Sequence, residues 1–231
     1  MSVTMNTMKL SKHTLSVLKN FSSLNSNLLV KPGNIIKTVT PAKNVAVEAR
    51  VPEDFPIEFG IWDMNKFLGT ISLFEDPEFK FDENCVYISG KGGAKVAYYY
   101  SEPKLLTTFD KEVKVPKTVV HFDLTEETFN ALQRAASILQ LPDLCVRSTD
   151  SGEIELAVLD KKYSTTNNFT IPVGDNDSNA TFNFYFKIEN LKLLVGDYSV
   201  SICKSVVSKF EHKDHDLTYY VALETDSNHE V

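Results

Sequence analysis

The sequence predicts an α+β fold made of two tandem copies of one β-rich unit, each with two helices on one face of its sheets. Two observations carry this. The predicted element order (helix, hairpin, strands, short helix, strands) occurs twice. The halves also match residue by residue: Phe59-Gly60-Ile61-Trp62-Asp63-Met64 parallels Phe186-Lys187-Ile188-Glu189-Asn190-Leu191, Gly69 and Gly196 follow at the same offset, and Leu15-x-x-Leu18 parallels Phe129-x-x-Leu132. Self-similarity of this kind marks a duplicated domain. The length, 231 residues, agrees with two domains of about 115 residues each. The expected boundaries are an extension over residues 1–7, a first domain over 8–116 with a linker from about 103, and a second domain over 117–231.

The first element, Lys9 to Leu24, reads as an amphipathic helix. Leu10, Val17, Leu18, Phe21 and Leu24 gather on one side, and Lys9, Lys12, His13, Ser16, Lys19, Asn20 and Ser23 on the other. The polar side holds three lysines and no acid, and Asn25-Ser26-Asn27 ends the helix. Leu28–Val30 and Ile35–Val39 flank Lys31-Pro32-Gly33-Asn34 and are expected to pair as a hairpin. Val45–Val51 is the next strand, punctuated afterwards by Pro52 and Pro56. Asp63 to Thr70 reads as a second helix, with Met64, Phe67 and Leu68 inward and Lys66 outward. Ile71–Phe74, Phe79–Phe81, Val86–Ser89 and Lys95–Tyr100 read as strands, and the charged stretch Pro103–Pro116 as the linker.

In the second half, Val119–Phe122 is a strand and Asp123-Leu124-Thr125-Glu126 a capping box before a helix to about Gln140. That helix has Phe129, Leu132, Ala136 and Leu139 on its apolar side, with Glu127, Asn130 and Arg134 opposite. Leu144–Arg147 and Glu153–Leu159 form a hairpin. Tyr163–Thr166, Phe169–Val173 and Thr181–Phe186 are strands, Ile188–Leu194 a short helix carrying Lys192, and Tyr198–Lys204, Val206–Phe210 and Leu217–Leu223 the last strands.

Composition excludes several classes. With 42% hydrophobic residues the chain is too apolar for disorder, and 9 Gly and 9 Pro are too few for low-complexity sequence. No window has the length and apolarity of a membrane span, and the first residues lack the apolar run of a secretory signal. Cys85, Cys145 and Cys203 are odd in number and far apart, which suits small core residues in a reducing cytoplasm. The net charge of −7 is divided unevenly: residues 1–116 carry 14 basic and 13 acidic groups, residues 117–231 carry 10 and 18. Such a balance argues against coating nucleic acid with the whole surface and leaves room for a local basic stripe.

Catalytic and metal motifs do not assemble. His212-Lys213-Asp214-His215-Asp216 reads as a solvated turn rather than a metal site. Gly90-Lys91-Gly92-Gly93 lacks the spacing of a phosphate loop. There is no G-x-S-x-G and no suggestive carboxylate pair. The expectation is a non-enzyme with no cofactor and no metal.

Met8-Lys9-Leu10-Ser11-Lys12, Leu18-Lys19-Asn20-Phe21, Asp63-x-Asn65-x-Phe67-Leu68-Gly69, Thr181-Phe182-Asn183-Phe184 and Tyr220-Val221-Ala222-Leu223-Glu224-x-Asp226-Ser227-x-His229 together resemble the DNA polymerase sliding clamps of T-even-type bacteriophages. The resemblance runs in order from Met8 onward; residues 1–7 have no counterpart, and Lys66 stands where the family usually has a small residue. It implies two tandem DNA-clamp domains per chain, and three chains closed head-to-tail into a ring with helices lining the interior and antiparallel sheets outside. It further implies double-stranded DNA held without regard to sequence, a tethered phage DNA polymerase, an ATP-dependent clamp loader, and host RNA polymerase engaged in late transcription, all in the cytoplasm of the infected bacterium.

Holding DNA without stopping on it calls for weak attraction to phosphates and no reading of bases. Lys9, Lys12, Lys19, Lys66, Arg134 and Lys192 on or near the outer helix faces suit such a lining; lysine is a hydrated, flexible point charge that exchanges easily between phosphates. The same residues also suit a plain solvated face. Ring closure needs edge strands, for which the resemblance implies Val96, Tyr98 and Tyr100 on one side and Phe169 and Ile171 on the other. It also implies a pocket for partner peptides beside the linker and the last strand, with Val115, Tyr220, Val221 and Leu223 as its candidates. The competing readings are a β-rich duplicated structural or adaptor protein that does not encircle DNA, and a hydrolase whose site is assembled from distant residues.

Overall fold

The computed structural model describes residues 7–109, 113–163, 165, 167–178, 180–204 and 207–230. Residues 1–6 of the expected extension and 110–112 of the expected linker lie outside them. The chain divides into two compact units, Met1–Lys111 and Glu112–Val231.

In the first unit, helix α1 spans Lys12–Leu24 rather than starting at Lys9, because Ser11 caps it: the Ser11 hydroxyl accepts from the Thr14 N–H at 3.1 Å. Thr14, Val17, Leu18, Phe21 and Leu24 are its buried side. The Asn25 amide is buried past its end and donates to the Val39 carbonyl at 3.0 Å, so the helix breaker is also a tether. β1 (Leu28–Val30) does not pair with β2 (Gly33–Val39) as expected; it pairs with β4 (Phe59–Ile61), and β2 pairs with β3 (Val45–Phe55). β3 continues past Val51 to Phe55. Its register slips between Ile35–Arg50 and Gly33–Phe55, and Pro52 falls in that slip, where no regular ladder bond is required of it.

Helix α2 (Met64–Ile71) is capped by the Asp63 carboxylate, which accepts from the Lys66 N–H at 2.9 Å. The expected strand over Ile71–Phe74 does not form. Ser72, Leu73 and Phe74 instead donate back to Leu68, Thr70 and Ile71 and unwind the helix as a turn. β5 (Glu78–Phe81), β6 (Cys85–Ser89) and β7 (Lys95–Tyr99) make an antiparallel three-stranded sheet in that order. Phe55, Phe59 and Phe81 pack with ring centroids 5.2 to 6.3 Å apart in the core beneath it.

In the second unit, β8 (Thr118–Leu124) leads into α3 (Glu126–Leu139). The cap is Thr125, whose hydroxyl accepts from the Thr128 N–H. Leu132 and Ala136 are fully buried, and α3 lies against β10 (Glu153–Leu159) and β11 (Phe169–Asp175). β9 (Asp143–Ser148) and β10 form the expected hairpin inside a five-stranded antiparallel sheet ordered β11-β10-β9-β12-β16, with β12 at Thr181–Lys187 and β16 at Asn228–Glu230. β8 also pairs with β13 (Tyr198–Cys203), which continues through β14 (Val207–His212) to β15 (Leu217–Ala222). Alternation along β12 buries Phe182, Phe184 and Phe186.

Two further expectations fail. Tyr163 and Thr165 lie outside any strand, and Ser164 and Thr166 are not among the described residues. The helix expected over Ile188–Leu194 is one 3₁₀ turn, Ile188–Asn190. Its continuation is blocked because the Leu194 backbone is already engaged: its carbonyl accepts from the Tyr198 hydroxyl at 2.6 Å, and its N–H donates to the Tyr219 hydroxyl at 3.0 Å. Gly196 then turns the chain at φ +143, in contact with His212; a Cβ there would lie 2.3 Å from His212 Nε2. The His212 ring is correspondingly buried beside Tyr198 rather than solvated.

Candidate nucleic-acid interface

The polar side of α1 carries Lys12, Ser16, Lys19 and Ser23 at helical spacing, and all four are exposed. No ion-pair partner lies within reach of Lys12 or Lys19 among the described residues. The helix has no acid in its first turn. Its N-terminal amide charge is met instead from β3: the Glu53 carboxylate accepts from the Ser11 N–H and the Thr14 hydroxyl. Burial works to raise the Glu53 pKa, but these hydrogen bonds outweigh it and hold the carboxyl below its ordinary range. The helix is thereby stabilised electrostatically from its buried side, and its outer side stays cationic.

The other expected cations are placed differently. Lys9 lies before α1, where its ammonium pairs with Asp76 and, at 3.8 Å, with Glu78; the Asp76 contact raises its pKa. It precedes the helix because Ser11 takes the capping position. Lys66 is on the outer side of α2, near its own cap Asp63 at 3.6 Å. Arg134 is exposed on α3, on the side with Glu127 and Asn130. Lys192 is exposed but sits after the 3₁₀ turn, not on a helix, for the backbone reason given above.

The two expected edge strands are outer strands. Among the described residues, β7 pairs with β6 alone in its sheet, and β11 with β10 alone. The side chains of β7 divide between two faces. Tyr98 packs edge-on against Phe67 of α2 at 5.0 Å, and Tyr100 packs against Phe59 at 5.4 Å, so both serve the inner face; burial raises the pKa of each. Val96 shares their face and is half-buried, while Tyr99 points outward and is 73% exposed. On β11, Phe169 is exposed and Ile171 half-buried, and Pro172 lies within the strand, as an outer strand tolerates. β7 begins at exposed Lys95 and β11 ends at exposed Asp175, a pair of charges that the sequence reading missed.

The candidate peptide-pocket residues fare unevenly. Val221 is fully buried on β15 and offers no surface, because alternation turns Leu217, Tyr219 and Val221 inward together. Tyr220, Leu223 and Val115 are half-exposed. A groove of about 220 Å³ lies within the first unit, walled by Leu29, Pro32, Ile35 and Phe109 and rimmed by Lys31 and Lys37; none of the four expected residues lines it. Glu53 and β16 were missed as well. No local signal marks Glu53, which lies 42 residues beyond Ser11 on another element. No local signal marks β16, a three-residue strand with two polar ends.

A family model described as gp45 sliding clamp, C terminal, matches residues 121–225. The chain is 33% identical to a protein named sliding clamp from Vibrio phage KVP40 over 222 residues, covering 94% of this chain and 99% of the relative. It is 28% identical to the protein of the same name from Enterobacteria phage T4, covering 96% and 100%. Among solved structures, proliferating cellular nuclear antigen from Entamoeba histolytica shares the fold with a TM-score of 0.69 at 12% identity, over 94% of this chain and 98% of that one.

Proposed function

Because the chain belongs to the sliding-clamp family of T4-like phages, we propose that it closes as a homotrimer around duplex DNA and tethers the phage DNA polymerase for processive replication. The carrying observation is the outer side of α1: two exposed lysines and no acid, in a chain of net charge −7. Lys12 and Lys19 hold phosphates loosely, with Lys66, Arg134 and Lys192 adding charge from the other elements. Lys9 contributes less, since Asp76 and Glu78 already compensate it. An acidic remainder discourages DNA from binding elsewhere on the surface.

Ring closure is supported by the two outer strands. Antiparallel pairing of β7 with β11 of a second copy brings the start of one against the end of the other, so Lys95 meets Asp175. One such heterologous contact per chain, repeated, closes a ring. Val96, Tyr98, Tyr100, Phe169 and Ile171 then back the joint through side-chain packing on their own sheets. The clamp itself does no chemistry and needs no cofactor; opening is the work of an ATP-dependent loader, and the loaded ring also serves host RNA polymerase in late transcription, in the host cytoplasm.

The test is topological. With its loader, the protein stays on closed circular DNA and is lost when the circle is linearised, and its native mass is three times the 26.0 kDa chain. Equal retention on both topologies refutes encirclement, and a single-chain mass refutes the ring.

A further inference from the structure

Among the described residues, a further segment pairs at the far end of each sheet that carries β7 or β11: Met8 at β5, and Glu224–Glu230 at β12. On β5, Met8 forms an antiparallel bridge with Phe79: each N–H donates to the other's carbonyl at 2.8 Å, and Lys9 pins the segment to Asp76 and Glu78. On β12, the segment from Glu224 to Glu230 lies along the edge. Its β16 pairs with Thr181–Asn183. The Asn228 side-chain oxygen accepts from the Asn183 N–H at 3.2 Å, the Ser227 hydroxyl accepts from the Tyr185 N–H at 2.9 Å, and the Glu224 N–H donates to the Tyr185 carbonyl at 2.9 Å. The outward amides of Asn183 and Tyr185 are therefore both taken.

A side-chain clip holds this segment. The Lys161 ammonium, its side chain only 15% exposed, reaches Asp226 at 2.7 Å and Glu224 at 3.4 Å. It also lies over the Tyr185 ring at 5.3 Å. The His229 ring stacks with Phe182 and Phe184, at 6.5 and 6.2 Å between centroids. A three-residue strand alone binds weakly; the clip and the stacking explain why this one stays in place.

We propose that Glu224–Glu230 is an edge plug: it closes the β12 edge so that a second copy of this chain can add a strand only at the other end of that sheet, on β11. Met8–Lys9 does the same for β5 and directs pairing to β7. An unplugged β12 presents a row of free amides and carbonyls, and a neighbouring copy completes it. With a third open edge on these two sheets, association no longer stops at a closed ring; it branches.

This inference rests on the β7–β11 reading for where proper pairing occurs, and the test separates the two. Ala97→Pro on β7 tests that reading: it lowers the native mass to one chain if β7 closes the ring. Lys161→Gln with Asn228→Pro releases the plug in the full-length chain. Hydrogen exchange at the Asn183 and Tyr185 amides then speeds up about tenfold. Sedimentation velocity shows concentration-dependent species that persist in the Ala97→Pro background, and that are suppressed by adding a peptide of residues 224–231. Unchanged exchange overturns the plug, as does faster exchange without new association. A released chain that has lost its folded circular-dichroism signal is replaced by Asn228→Pro alone, judged by the same two readouts. If Ala97→Pro leaves the mass unaltered, the ring contact fails while the plug is still decided by exchange and by association.

Discussion

Lys12→Glu with Lys19→Glu turns the cationic side of α1 anionic and leaves its apolar side untouched. The two positions are seven residues apart, about 10 Å along the axis and within about 20° of two full turns, so both project the same way. The proposed three-chain ring loses six cations. A duplex touches part of its enclosure at a time; with three of the six engaged, the slope of log affinity against log salt falls in magnitude by about 2.7, at about 0.9 per phosphate contact. Between 50 and 200 mM salt that removes about 40-fold of salt sensitivity. Both side chains are exposed, so the fold changes by no more than about 0.5 kcal/mol. Lys12→Gln with Lys19→Gln removes the attraction without adding repulsion and gives the same slope change with a smaller loss of affinity. The assay is equilibrium binding to a short linear duplex, onto which a ring threads and from which it slips freely, over a salt series, with native mass measured in parallel. An unaltered slope at unaltered mass refutes the assignment of this face to DNA.

Other perturbations test the scaffold. Glu53→Ala removes the carboxylate that Ser11 and Thr14 donate to and costs about 2 kcal/mol in urea unfolding. Since the folded Glu53 pKa is depressed below 4.5, its contribution is complete above that pH and fades as pH falls through the folded value; the wild-type minus variant difference therefore shrinks in acid. Gly60→Ala drives a Cβ to 2.4 Å from the Ser101 carbonyl oxygen and 2.8 Å from Leu106 Cδ1. Backbone cannot yield there as a side chain can, so the melting temperature drops by several degrees; an unchanged melt refutes the close approach. Cys85, Cys145 and Cys203 are buried and free, and burial pushes the Cys145 thiol up to about 12. A thiol reagent at neutral pH therefore modifies none rapidly in the native chain and all three after denaturation.

Most elements were legible because they obey local rules. α1 and α3 follow from apolar periodicity, β12 from strict alternation, and the β9–β10 hairpin from the polar turn between two apolar runs. The errors share one cause: a distant partner outweighed the local pattern. A Pro-Gly turn between β1 and β2 looks like a hairpin, yet β1 gains more by pairing with β4. Ile188–Leu194 has helical periodicity, yet two tyrosine hydroxyls claim the Leu194 backbone. Lys9 lies on the helical wheel of α1, yet Ser11 caps the helix after it and Asp76 and Glu78 draw it aside.

Side-chain order along the chain was enough to set the duplication, the amphipathic helices and the acid-free lysine face, since periodicity and charge are properties of neighbours within a few residues. Which edges are covered and which stay open was decided only by the tertiary structure. Met8 reaches Phe79 and Ser227 reaches Tyr185 across long stretches of chain. A hydrogen bond between such residues depends on where folding brings them, which no local pattern encodes.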